Sequence, residues 1–148
     1  MRALIQRVSE AEVTADDGFR SSIGQGYLIL LGVGAEDNEE SCARLWTKIN
    51  KLRIFQDAEG KANLDLAAVS GQVLVVSQFT LFADTKKGNR PSFIHAAPPD
   101  QGERLYRYFV ELARRDVSHV GTGSFGAEMK VRLTNDGPFT IWLDTDHF

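Results

Sequence analysis

Apolar and polar residues first alternate with a period of two. Ala11 and Val13 stand between Glu10, Glu12 and Thr14, as in a strand with one buried face, so residues 2–14 are predicted as a strand. Asp16-Asp17-Gly18 predicts a turn. Two extended segments follow, 19–23 and 27–33, divided by Gly24-Gln25-Gly26; the second, YLILLGV, is apolar on both faces and belongs inside a sheet. The period then changes. Asp37-Asn38-Glu39-Glu40 has the form of a capping box with Asp37 as cap, and Cys42, Leu45, Trp46, Ile49 and Leu52 form the buried stripe of a helix that ends in the turn Asp57-Ala58-Glu59-Gly60. Residues 72–83, QVLVVSQFTLFA, predict a strand covered on both sides, with Val76, Gln78, Thr80 and Phe82 on one face and Val75, Ser77, Phe79 and Leu81 on the other. After a loop, Asp100-Gln101-Gly102-Glu103 looks like a second capping box, and Leu105, Phe109, Leu112 and Ala113 supply a helical stripe to about Arg115. Two alternating runs, 127–134 and 139–144, joined by Asn135-Asp136-Gly137-Pro138, close the chain as a hairpin. The order strands, helix, strand, helix, strands gives one mixed α/β domain over residues 1–148, with two main helices between or against largely antiparallel sheets.

Composition narrows the class. The chain has 148 residues, 43% of them apolar, enough to bury a core without intrinsic disorder. Its longest apolar stretch, Tyr27 to Val33, falls far short of the roughly 20 residues that span a bilayer, so no membrane partner is expected. Arg2, Arg7 and Glu10 break the amino terminus where a secretion signal needs an apolar core. Cys42 is alone, which excludes an intrachain disulfide or thiolate cluster and fits a reducing, cytoplasmic setting. His95, His119 and His147 have no ligand spacing, so neither metal nor cofactor is expected. With 17 basic and 20 acidic residues the net charge is −3, which argues against a grip on long DNA through charge.

Any chemistry must therefore come from hydroxyls, amides, backbone groups or the substrate. Ser77, Gln78 and Thr80 interrupt an otherwise apolar strand. A buried hydroxyl or amide without a partner costs about 1–3 kcal/mol, so these groups need a ligand or neighbouring strands to satisfy them. Thr80 has no His, Lys or Asp on its face to make it a nucleophile. Asn135-Asp136-Gly137-Pro138 reads as a turn stiffened by Pro138, with the isomer of the Gly137-Pro138 bond left open. The loop 84–93 carries Lys86, Lys87 and Arg90 with Phe93 beside them; it fits phosphates and a stacked base as well as it fits a solvated surface. His95 has no carboxylate near it in sequence to orient it as a base.

SQFTLFAD at 77–84, KKGNRPSF at 86–93, GSFGAEMKV at 123–131 and NDGPFT at 135–140, together with the opening MRALIQRVSEAEV, resemble the D-aminoacyl-tRNA deacylase family from Met1 to about Leu143. The resemblance implies a three-layer β/α/β fold and a homodimer with its active sites at the subunit interface. It implies that Ser77, Gln78, Phe79 and Thr80 border the pocket for the 3′-terminal adenosine and its aminoacyl ester. Gly137-Pro138 would be a cis peptide that enters the partner's pocket as a chiral filter, supported by Arg7. Lys86, Lys87, Arg90, Phe93, Gly102 and Met129 are the candidates for contact with the RNA end. The implied activity removes D-amino acids, and glycine, from tRNA. Phe139 and Gly102 depart from the family's common Val and Ala. The residues alone leave two other readings open, an RNA-binding module without catalysis and a small-molecule esterase built on Thr80 or Ser77.

Overall fold

The computed structural model describes residues 1–148. Strand β1 (Arg2–Ala15) turns at Asp16-Asp17-Gly18 into β2 (Arg20–Ile23), and β3 (Gly26–Gly32) returns along its first half. Helix α1 (Glu39–Asn50) and a two-stranded hairpin, β4 (Phe55–Gln56) with β5 (Ala62–Leu64), lead to β6 (Gln72–Ser77). A 3₁₀ helix (Phe79–Phe82), helix α2 (Pro99–Asp116), the short β7 (Val120–Thr122) and the long β8 (Met129–Asp144) follow. Strands β3, β6 and β7 are parallel neighbours, whereas β2, β3 and β8 all pair antiparallel with β1. This is a mixed α/β domain with two helices and a largely sheet core, and β3 holds the central position its apolar run predicts.

Strand β1 serves two cores. Ala3 and Ile5 point into the same core as Tyr27, Ile29, Leu31, Val73 and Val75, and into it pack Cys42, Leu45, Trp46 and Ile49 of α1 and Leu105, Phe109 and Ala113 of α2. Between Val8 and Glu10 the register with β8 shifts, and the second half of β1 turns its apolar side the other way. Val8, Ala11 and Val13 then cover Leu28, Leu74 and Val76 on the opposite face of β3 and β6. Both helices thus pack into the larger core, and the curled arm of β1, β2 and β8 closes over the smaller one. Each fully buried aliphatic side chain in these two cores contributes about 1.5–3 kcal/mol. No helix is long and apolar enough to cross a membrane.

Three expectations about the helices shift. The cap of α1 is Asn38, whose side chain accepts from the Ser41 amide while Ser41 reaches back. Asp37 is drawn away because the Met1 ammonium and the Gly34 amide, each at 2.6 Å, occupy its carboxylate. Helix α1 stops at Asn50, so Asp57–Gly60 is the tip of the β4–β5 hairpin. Helix α2 starts at Pro99 with no side-chain cap; proline suits a first turn, whose amides have no intrahelical acceptor in any case. Gln101 instead donates to the Ala35 and Asp37 carbonyls.

The terminal hairpin is also not one. Both halves of β8 pair with β1, and an alternating run looks the same whichever strand it pairs with. From Gln6 to Val8 β1 advances two residues while β8 goes from Thr140 back to Asn135, so Asp136 to Phe139 bow out of one strand. The Gly137-Pro138 bond in that bow is cis.

Candidate active site

The strand predicted over 72–83 ends at Ser77. The Gln78 amide donates to the Leu31 carbonyl at 2.8 Å, the last step of the β3–β6 ladder, and the chain then turns into the 3₁₀ helix. Glycines on β3 and just beyond it make room for that turn. A methyl on Gly32 would lie 3.1 Å from the Gln78 carbonyl and 3.2 Å from the Phe82 ring, and one on Gly34 would lie 2.8 Å from that ring. Phe82 is thereby seated at 8% exposure, while Phe79 is left 55% exposed and meets Phe93 edge-on at 4.9 Å. The alternation read through Gln78 to Phe82 thus fails, because glycine spacing and a buried ring curl the backbone there.

The turn presents polar groups at the carboxyl end of parallel strands, where open α/β sheets bind ligands. The first amides of any helix have no acceptor within it; here they belong to Phe79 and Thr80. The Gln78 side-chain amide donates to the Thr80 hydroxyl. Beside them opens a cleft of about 560 Å³, lined by Ser77, Gln78, Phe79, Phe93, Gly102 and Met129 together with Phe125 and small apolar side chains. Met129 is fixed by the Ser124 amide, 3.3 Å from its sulfur. Phe125 leans on Tyr106, whose hydroxyl donates to the Val75 carbonyl at 2.8 Å and whose burial raises its pKa to about 12. Gly102 needs neither special backbone nor tight packing: a methyl there would meet only Phe125, at 3.5 Å.

The other predicted site residues lie elsewhere. Thr80 is exposed beside Gln78 but does not line the cleft, and Lys86, Lys87 and Arg90 stand on an exposed loop whose end places Phe93 in it. Arg7, Gly137 and Pro138 form a separate cluster. Arg7 is 5% exposed; it donates to the Ile54 carbonyl and, at 2.8 Å, to the Asp136 carbonyl, with its guanidinium 4.8 Å from the Phe139 ring. Phe139 is thus a platform for Arg7, and its amide donates to Asn135 Oδ1 at 2.9 Å, closing the base of the bow.

This geometry offers positioned amides and hydroxyls with an apolar enclosure, but no nucleophile with a base. No histidine lines the cleft, and the Cys42 thiol is buried, its pKa pushed up to about 12 by burial first and by Asp37 second. No three His, Cys, Asp or Glu side chains group to hold a metal ion. Sequence reasoning missed Arg2, Gly32, Gly34, Phe82 and Phe125; the pair Gly32 and Gly34 directly after an apolar strand was the available sign of a close approach.

Residues 4–144 match the family model described as D-Tyr-tRNA(Tyr) deacylase. A D-aminoacyl-tRNA deacylase of Thermotoga petrophila is 52% identical over 145 residues, covering 98% of this chain and 97% of its own. One of Klebsiella pneumoniae is 54% identical over 143 residues, covering 97% and 99%. A solved structure described as "c-Myc DNA Unwinding Element Binding Protein" superposes with a TM-score of 0.91 at 40% identity over 98% of this chain and 99% of its own. Another, described as a probable eukaryotic D-amino acid tRNA deacylase, shares the fold with a TM-score of 0.82 at 19% identity, covering 96% and 97%. With the family model matched almost end to end and relatives at half identity over nearly their full length, the chain belongs to the D-Tyr-tRNA(Tyr) deacylase family.

Proposed function

We propose that this protein hydrolyses the ester between a D-amino acid and the 3′-terminal adenosine of tRNA, releasing both. The observation that carries the reading is the 3₁₀ turn, which brings Gln78 and Phe79 to the wall of an apolar cleft of nucleoside size and leaves the amides that open the turn, those of Phe79 and Thr80, without an acceptor inside it. Amides held in place stabilise the negative charge that develops on an ester carbonyl oxygen. The missing base is supplied by the substrate: the 2′-hydroxyl next to the ester orients or activates the attacking water, and Ser77, Gln78 and Thr80 position it. Exposed Lys86, Lys87 and Arg90 meet the RNA backbone while Phe93 takes a base face.

Stereochemical choice needs a second copy of the chain. Rejecting L-esters by about 10⁴ requires about 5.5 kcal/mol, whereas an apolar pocket distinguishes by roughly 1–3 kcal/mol. A main-chain wall meets that demand, and Gly137-Pro138, held by Arg7, is the wall. Within one chain it does not line the cleft, so a partner delivers it and the working unit is a homodimer. Such a wall leaves the glycyl ester unopposed, so glycine is removed as well. The site of action is the cytoplasm, where charged tRNA is used.

The test is to incubate the protein with D-tyrosyl-, L-tyrosyl- and glycyl-tRNA and follow the remaining ester. Loss of the D and glycyl forms only is expected. Binding without cleavage would leave a non-catalytic RNA module, and cleavage of simple esters without RNA would restore an esterase based on Thr80 or Ser77.

A further inference from the structure

The 3₁₀ helix is four residues long and has few bonds of its own, Leu81 N–H to Gln78 O at 3.3 Å and Ala83 N–H to Thr80 O at 3.0 Å among them. So short a helix does not hold its orientation unaided. Phe82, seated against Gly32 and Gly34, is one anchor. Arg2 is the other: its Nη1 donates to the Leu81 carbonyl at 3.0 Å, its Nε to Asp144 Oδ2 at 2.9 Å, and its guanidinium lies 4.3 Å from the centre of the Phe82 ring. One planar group thus ties the turn to the start of β1 and the end of β8. A guanidinium suits this, since its planar fork spreads donors over three nitrogens and offers a face to the ring, whereas an ammonium gathers its three donors on one nitrogen.

We infer that Arg2 is a positioning residue for ester hydrolysis, tethering the 3₁₀ helix from behind so that the Phe79 and Thr80 amides stay at the mouth of the cleft. This rests on the deacylase reading of that site. Arg2 does not line the cleft, so its effect belongs in turnover rather than in binding.

The experiment compares wild type, Arg2→Lys, Arg2→Met and the double variant Arg2→Met/Asp144→Asn, which leaves no carboxylate without its partner. It measures steady-state hydrolysis of D-tyrosyl-tRNA and hydrogen exchange of the folded proteins. Arg2→Met is expected to lower kcat about 10- to 100-fold with KM within about 3-fold, Arg2→Lys to fall between, and the double variant to resemble Arg2→Met. Exchange should rise at the Leu81 and Ala83 amides and stay unchanged in β3 and β6. An unchanged kcat in Arg2→Met and the double variant overturns the inference, as does faster exchange throughout the protein with kcat falling only as folded protein is lost. If wild type leaves the D ester intact, the assigned reaction falls and the catalytic purpose of Arg2 with it, while the exchange comparison still decides whether the tether exists.

Discussion

Arg7 lies in β1 almost out of water and gives its charge to carbonyls rather than to a strong ion pair: Ile54 O and Asp136 O, with the Asp136 carboxylate only at 3.8 Å. Removing the guanidinium strands two acceptors, each costing about 1–3 kcal/mol when buried. Arg7→Met is therefore expected to lower unfolding free energy by about 3 kcal/mol in urea titration, and to raise hydrolysis of L-tyrosyl-tRNA relative to the D form, because the bow at 136–139 loses its support. Thr80 predicts the opposite kind of result. Its hydroxyl accepts from Gln78 and has no base beside it, so Thr80→Ala should keep most activity, whereas tRNA ending in 2′-deoxyadenosine should lose most of it. Measured rates in the reverse order would make Thr80 the nucleophile.

The 3₁₀ helix and the bow of β8 are the elements on which the proposed site depends, and both are places where a sequence pattern continued while the structure changed direction. Apolar alternation carries on through Gln78 to Phe82, but the ladder stops at Ser77 because β3 ends at Gly32 and the following residues close around Phe82. A methyl added at Gly34 would press on an aromatic ring packed at its base, 2.8 Å from Phe82 Cζ. Overpacking of this kind costs about 1–3 kcal/mol. Gly34→Ala is thus expected to lower both thermal stability and kcat on D-tyrosyl-tRNA, and Gly34→Ala/Phe82→Leu to recover part of the stability. A Gly34→Ala protein with wild-type turnover would show that the seat of Phe82 does not set the turn.

For the molecule as a whole, two tests concern assembly and pH. A homodimer in which each chain completes the other's cleft requires that activity per chain fall on dilution through the dissociation range found by sedimentation; constant specific activity with monomer present would exclude it. Asp144 joins the start of the chain to its end. Burial works against its carboxylate, but the Asp146 amide, Arg2 and the N-terminal ammonium outweigh that and hold its pKa below the ordinary value of 3.8. A depressed folded-state pKa adds stability above the unfolded pKa and loses it as pH falls through the folded value. Asp144→Asn should accordingly lose stability at pH 7 and progressively less as pH falls further below the ordinary value of 3.8, by urea titration across that range.

The hydrophobic periods were enough to define the two helices and the central β3, because burying an apolar stripe or a two-faced apolar strand leaves few alternatives. The motifs SQFTLF and NDGPFT were enough to point to the family. They did not define which strand pairs with which: β8 alternates like a hairpin arm, yet both its halves belong to β1, and pairing is a contact between distant residues that no local period records. Nor did they show that Asp37 serves the Met1 ammonium instead of a helix, that a bulge near Ser9 turns the apolar side of β1 from one core to the other, or that Arg2 reaches Leu81 and Asp144. Those depend on packing in three dimensions, where each polar group takes the partner that the rest of the fold brings within reach.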